Sequence, residues 1–307
     1  MPARPLLPGW LDSVAGPVLA ATDVASTDEL TGDLLRQWGS SEVWRLSSGS
    51  GSVIVKRGSD TQAAEADAYE QLVRPLDLPA PELLHLERLE DAVVLVMADV
   101  GGVTLEQNPS LEGLLAATEL LVELRSKPVE GATDFGPDRL LDLVDRVRLG
   151  LAGVVGSLTG ARAAAGLDRA MELAEPALAE LHRAVPLAVV HGDFVPKNLV
   201  TDGSRLTAVD WPAAYRAPHL GDLHTLLRDA RTGGFAPDPI VAHYINAAGT
   251  DPDLVRRQLV LGGVCFSLLA LCWIVEEGLR TVPPSKDWID GLLTELDDLT
   301  GELRCGC

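Results

Sequence analysis

The stretch His191-Gly192-Asp193-Phe194-Val195-Pro196-Lys197-Asn198, followed twelve residues after Asn198 by Asp210-Trp211, gathers side chains able to do chemistry. Between them, Leu199-Val200-Thr201 and Leu206-Thr207-Ala208-Val209 flank Asp202-Gly203. Asp-Gly between two apolar runs predicts a β-hairpin. A hairpin there sets Asp193, Asn198 and Asp210 at the ends of one rigid unit. Such a unit can present one carboxylate to a substrate hydroxyl and an amide–carboxylate pair to a metal ion.

The elements that must position these groups fall into two parts. Residues 8 to 37 carry helical spacing, with Trp10, Leu11, Val14 and Val18, then Leu30, Leu34, Leu35 and Trp38. After Gly39-Ser40-Ser41, the runs 42–46 and 53–56 read as strands around a glycine-serine turn. Residues 61–73 turn helical, Leu78-Pro79-Ala80-Pro81 is a rigid connector, and 83–86 and 92–97 read as a further strand pair. Beyond Asp99-Val100-Gly101-Gly102 the strand signal nearly disappears. Helices are predicted over 111–126, 137–155, 161–183, 240–248, 253–279 and 288–303, with strands only at 187–190 and in the hairpin.

Composition bounds the partners. A chain of 307 residues, 47% hydrophobic and 23% charged, has enough apolar sequence for a large core or two. Its 45 acidic against 25 basic residues give a net charge of −20, a field that repels nucleic acid and anionic membranes and favours cationic partners. Neither nucleic acid nor membrane is expected as a partner. The apolar run 259–275 is long enough to be weighed as a membrane span, but its glycines and the adjoining Glu276-Glu277 favour a buried core helix. The N-terminal residues lack the blocks of a signal peptide. Cys265, Cys272, Cys305 and Cys307 form no CxxC pair or zinc spacing, so a reducing, cytoplasmic location is expected. Cys265 and Cys272 read as small core residues, and Cys305 and Cys307 as a free tail.

Taken together, the motifs resemble the aminoglycoside phosphotransferase and choline kinase family, small-molecule kinases with a protein-kinase-like fold. The resemblance spans roughly residues 38–275 and rests on His-Gly-Asp-x4-Asn, the hairpin, Asp210-Trp211, and a strand lysine followed by a helix glutamate. It implies an α+β, bilobal fold: an N-terminal nucleotide-binding lobe over 1–98 with a small antiparallel sheet, a hinge at 99–105, and a helical lobe over 106–307. It implies that Asp193 is the catalytic base, that His191 braces its loop, and that Asn198 and Asp210 hold Mg²⁺. Lys56, paired with Glu65, would contact the phosphates of ATP or GTP. Ser40 and Ser41 would lie over the phosphates, and the backbone of Met97, Asp99 and Val100 would meet the base. Asp222 would anchor the catalytic loop, and Lys197 is expected to face solvent. No GxGxxG loop or Walker A sequence is present, which argues against a P-loop kinase. His182, His219, His224 and His243 show no metal spacing and are read as structural or surface residues.

The expected activity is therefore a Mg²⁺-dependent phosphotransfer from ATP or GTP to an alcohol group of a small molecule. An aminoglycoside or other antibiotic, as in antibiotic resistance, an amino alcohol or a sugar would serve as acceptor. Asp138, Asp142, Asp145, Glu276, Glu277, Asp287 and Asp290 are candidates for meeting a cationic acceptor, although the same spacing describes a solvated helix face. Two alternatives are a kinase acting on Ser or Thr of a natural-product peptide and a non-catalytic pseudokinase that binds nucleotide. The oligomeric state is left open.

Overall fold

The computed structural model describes residues 7–131, 134–154 and 157–304; Cys305 and Cys307 lie outside them. In chain order the elements begin with α1 (Ala15–Thr22), entered through the helical turns Gly9–Val14, then β1 (Thr31–Trp38), β2 (Ser41–Ser47) and β3 (Ser52–Gly58). They continue with α2 (Glu65–Ala68), extended by Asp60–Ala64 and Tyr69–Val73, then β4 (Leu83–Arg88), β5 (Val93–Ala98) and β6 (Val103–Thr104). Next come α3 (Leu111–Ser126), α4 (Pro137–Leu151), α5 (Ser157–Arg169), α6 (Glu175–Ala184), β7 (Ala188–Val190), β8 (Leu199–Thr201), β9 (Leu206–Ala208) and β10 (Tyr215–Ala217). The chain closes with α7 (Gly221–Thr232), α8 (Pro237–Ala248), α9 (Pro252–Trp273), prolonged through Leu279–Thr281, and α10 (Ile289–Arg304). Two compact units result: residues 1–103 with 200–213, and residues 104–199 with 214–307.

In the first unit, five strands form an antiparallel sheet in the order β1-β2-β3-β5-β4. Strand alternation sends Trp44, Leu46, Val53 and Val55 to one face, where Leu11, Val14, Val18 and Leu30 cover them. Glu42 ties this cover down, accepting hydrogen bonds from the indole nitrogens of Trp10 at 3.2 Å and Trp44 at 2.5 Å. On the β8–β9 hairpin, Asp202 Oδ1 accepts from Ser204 N at 2.8 Å and Arg205 N at 2.9 Å, and Gly203 takes a φ of 92°. That is the local geometry Asp-Gly was expected to supply.

The helical reading of residues 8–37 fails in its second half. Helix α1 stops at Thr22, with Asp23 as a left-handed cap, and residues 31–38 are the edge strand β1. Leu34, Leu35 and Trp38 matched a helical spacing, but they are exposed, at 47%, 47% and 36%. An edge strand of this kind is fixed by backbone pairing, here Thr31 opposite Ser47 through Trp38 opposite Ser41. It therefore leaves no period-two burial pattern to read.

The second unit is mostly helical. Its centre is α9, started by Asp251, whose carboxylate caps the amides of Asp253 and Leu254, with Pro252 in the first helical position. The helix containing it is long and apolar enough to cross a membrane, but 67% of its most apolar window is buried inside the protein. Cys265 and Cys272 are among those core residues. Apolar residues of α4, α5, α6 and α10 pack in the same cluster. Strand β10, paired antiparallel with β7, and helix α7 are additions to the elements predicted from the sequence. Leu223, Leu226, Leu227 and Ala230 of α7 are buried at helical spacing, with His224 and Thr225 buried beside them, while Arg231 and Thr232 are exposed.

Candidate active site

In the first unit, Lys56, Glu65 and Asp210 form one cluster. On β3, Lys56 stands opposite Val43 of β2 and Leu95 of β5, with its side chain only 5% exposed. Its Nζ lies 2.6 Å from Glu65 Oε2 and is hydrogen-bonded to Asp210 Oδ1. Glu65, at the start of α2 and 1% exposed, accepts the Trp211 backbone N–H on Oε1 at 3.0 Å. One glutamate thus holds both the lysine and the backbone beside Asp210. Burial by itself would lower the Lys56 pKa, but the carboxylates of Asp210 and Glu65 outweigh it and raise it, so the ammonium stays charged. Asp210 adopts a φ of 71°, unusual for a residue other than glycine, and its side chain is 26% exposed. The Trp211 indole, fully buried, donates to Ala208 O at 2.9 Å and pins the end of the hairpin.

Two other stretches singled out in the sequence lie in the same unit. Gly39 and Ser40 form the turn between β1 and β2, with Gly39 at a φ of 57°, and Ser41 opens β2. Ser40 O accepts the Ser59 amide at 2.9 Å. Met97 sits near the end of β5, and Asp99 follows the strand with its carboxylate fully engaged. It accepts from Arg45 Nε at 2.7 Å, Ser52 Oγ at 2.8 Å and Gly101 N at 2.9 Å. Burial opposes the charged form, but those bonds prevail and hold the Asp99 carboxyl below its usual range. Val100, Gly101 and Gly102 complete the turn, and a Cβ at Gly102 would lie 2.1 Å from Thr201 O.

In the second unit, β7 delivers the chain into the His191–Asn198 loop, and Asp222 at the start of α7 grips it. Asp222 Oδ2 accepts His191 N at 2.7 Å, and Oδ1 accepts Gly192 N at 2.9 Å. Gly192 turns at a φ of 83°. Burial raises the Asp222 pKa despite these bonds and the neighbouring His191. His191 is wholly buried against Phe194, and its Nδ1 accepts the Asp193 amide at 3.3 Å, a bracing position. Asn198, 1% exposed, donates from Nδ2 to Asp193 O at 2.9 Å and to Asp193 Oδ2 at 2.8 Å. Asp193 itself is 37% exposed. Lys197, expected to face solvent, instead pairs with Asp193 Oδ2 at 3.1 Å while 30% exposed.

Arg125 of α3 escaped sequence reasoning. Its guanidinium donates to His219 O at 2.9 Å, Pro218 O at 3.0 Å and Gln258 Oε1 at 3.2 Å, fixing the chain that leads into α7. Nothing near position 125 signals partners ninety residues away. A Cβ at Gly262 would lie 2.5 Å from Gly221 N, so glycine lets α9 approach the start of α7. Of the acidic acceptor candidates, Asp142 and Glu276 are paired with Arg146, Asp145 is paired with Arg148, and Glu277 is buried.

Among the described residues, no group of three or more His, Cys, Asp or Glu side chains gathers as a metal site. Asn198 in the second unit and Asp210 in the first each carry a hard oxygen of the kind Mg²⁺ prefers.

The chain belongs to the phosphotransferase enzyme family, whose family model matches residues 34–259. Two LicA proteins of Haemophilus influenzae are 26% and 24% identical over 98 residues, 31% of this chain. The chain spans about a third of the length of these curated relatives, 37% and 29%. Among solved structures, aminoglycoside phosphotransferase APH(4)-Ia in ternary complex with ADP and hygromycin B is 19% identical, with a TM-score of 0.62, over 96% of this chain and 99% of that one. Choline kinase from Cryptosporidium parvum is 11% identical with a TM-score of 0.66, over 98% and 94%. A choline/ethanolamine kinase family protein from Mesorhizobium loti is 17% identical with a TM-score of 0.66, over 96% and 99%. At such identities the likeness is one of fold, and that fold is protein-kinase-like.

Proposed function

We propose that the protein transfers the γ-phosphate of ATP or GTP to a hydroxyl group of a small molecule. The observation that carries this reading is the convergence of Lys56, Glu65 and Asp210, distant in sequence, on one ion-pair cluster. A buried cation held by two carboxylates is pre-aimed and stays charged, as a phosphate-binding lysine must. Lys56 grips the nucleotide phosphates, Ser40 and Ser41 lie over them, and the backbone of Met97, Asp99 and Val100 meets the base. Residues 1–98 then serve as the nucleotide lobe, 99–105 as the hinge and 106–307 as the acceptor lobe.

Asn198 and Asp210 supply the oxygen ligands for Mg²⁺, which when bound neutralises phosphate charge. Asp193 accepts the hydrogen bond of the acceptor hydroxyl, orients it for attack and takes its proton. Asp222 and His191 keep the loop in the shape that holds the Asp193 carboxylate accessible. The structural relatives bound to hygromycin B or named as choline and ethanolamine kinases support an amino sugar or amino alcohol as acceptor. We place the activity in the cytoplasm, where the donor nucleotide is made.

Incubation of the purified chain with MgATP or MgGTP and a panel of aminoglycosides, amino alcohols, sugars and nucleoside antibiotics tests the reading. Nucleotide-dependent addition of one phosphate to a panel member is the expected result. Nucleotide binding with no diphosphate released against any acceptor or water contradicts it and identifies a pseudokinase. A phosphorylated peptide in place of a small molecule would redirect the acceptor class alone.

A further inference from the structure

Lys197 stands four residues after Asp193 in the short helical turn Pro196–Asn198. Its Nζ shares Asp193 Oδ2 with the Asn198 amide. A half-exposed i, i+4 ion pair does little for stability. The turn is also held without it, by Asn198 N on Val195 O at 2.9 Å and Glu106 N on Pro196 O at 3.3 Å. Asp229 of α7 and Glu106 add negative charge around the same turn, and Asp229 interacts with both Asp193 and Lys197. The lysine is therefore kept at the loop by carboxylates, on the same oxygen that an acceptor hydroxyl would seek.

Distances indicate where it goes in turnover. A hydroxyl bonded to Asp193 lies about 2.7 Å from the carboxylate oxygen. The phosphorus it attacks lies about 3 to 3.5 Å further on. The phosphoryl group then sits about 6 Å from the carboxylate, within the swing of a flexible four-carbon side chain already resting on that carboxylate.

We propose that Lys197 is a further catalytic residue, whose ammonium leaves Asp193 Oδ2 during transfer and donates to an oxygen of the γ-phosphoryl group. The move neutralises charge on the phosphoryl oxygens and opens Oδ2 to the acceptor. This rests on the phosphotransfer reading given above. In the step, the bond from acceptor oxygen to γ-phosphorus forms and the bond from γ-phosphorus to the β-bridging oxygen breaks. The nucleoside diphosphate leaves with that electron pair, and the acceptor proton passes to Asp193. Lys197 changes partner and remains an ammonium throughout.

The test compares Lys197→Met, Lys197→Gln and Lys197→Arg with the unaltered full chain. MgATP is the donor, and hygromycin B, choline, ethanolamine and water are the acceptors. Each protein is read for ADP release, MgATP affinity and thermal midpoint. The expected result is a fall in kcat of about 10²-fold for Met and Gln, the scale of losing one transition-state donor. MgATP affinity and the thermal midpoint stay close to those of the unaltered chain, and Arg recovers most of the rate. Turnover by Met or Gln near that of the unaltered chain overturns the inference alone. So does an Arg variant as slow as Met, because charge would then not be what matters. An unaltered chain that binds MgATP but releases no ADP with any acceptor overturns the phosphotransfer reading as well.

Discussion

The Lys56 cluster and the Asp193 loop solve opposite problems. Around Lys56, charge is buried: the lysine and Glu65 are almost wholly inaccessible, and each depends on the other for compensation. Around Asp193, the carboxylate that the proposed function makes the base is accessible, and what is buried is its support: His191, Asn198 and Asp222. A group that only binds phosphate can be locked in place by ion pairs. A group that must exchange protons with an incoming hydroxyl has to stay open, so its precision comes from hydrogen bonds to the backbone behind it. Substitutions in the first region should therefore register in stability and nucleotide affinity, and those in the second in turnover.

The largest effect is expected from Lys56→Met, which leaves Glu65 and Asp210 facing each other without a cation. Removing one member of a buried ion pair costs about 3 to 5 kcal/mol. Denaturant unfolding should show that loss together with failure of MgATP binding. Stability within about 1 kcal/mol of the unaltered chain would break the contrast, since that is the scale of an exposed pair. Asp222→Asn comes next, because an amide cannot accept both loop N–H groups and buries a donor of its own. A loss of about 1 to 3 kcal/mol is expected, with kcat reduced and MgATP affinity kept.

His219 supplies a pH test of the framework behind the loop. It is fully buried, and its Nδ1 accepts the Gly221 amide at 3.2 Å, a bond that needs the neutral ring. Burial, then the nearby Arg125 and the lesser influence of His182 and His224, lower its pKa to about 3. An unfolded chain protonates this residue near pH 6.5, so between about pH 6.5 and 3 the unfolded state binds more protons. Stability should be fully present above about pH 6.5 and fall by up to about 1.4 kcal/mol per pH unit below it. Comparison of His219→Asn with the unaltered chain between pH 7.5 and 5 isolates this contribution. Equal slopes would refute it. The smallest effect is expected for Arg45→Ala, which removes one support of Asp99. That half-exposed pair contributes about 1 kcal/mol at most, seen as a several-fold weaker MgATP affinity with kcat unchanged.

The sequence was most readable where chemistry and local turn geometry coincide. Asp202-Gly203 announces the hairpin, and the strand at 53–56 followed by a helix gives Lys56 and Glu65 their relation, because each feature is encoded within a few residues. Strand β1 has no readable period, since an edge strand with exposed Leu34 and Leu35 is specified by its partner. Helix α7 carries a readable apolar stripe, Leu223, Leu226, Leu227 and Ala230, but it is short, and the buried His224 and Thr225 interrupt the polar face that would have set it off. The contacts of Arg125 with residues 218, 219 and 258, and the Trp211 amide bond to Glu65, join distant parts of the chain. The pairing of Lys197 with Asp193 has no sequence signal, because a lysine in a short loop has no pattern that reveals its partner. Side-chain direction within one turn decides that, and sequence spacing does not.

The division of labour between the two regions is tested most directly by Asp193→Ala in a single-turnover experiment with MgATP already bound. The account predicts MgATP affinity equal to that of the unaltered chain and phosphoryl transfer slowed by at least about 10²-fold, the contribution of a positioned base. Transfer at a near-normal rate, or loss of MgATP binding in this variant, would contradict it.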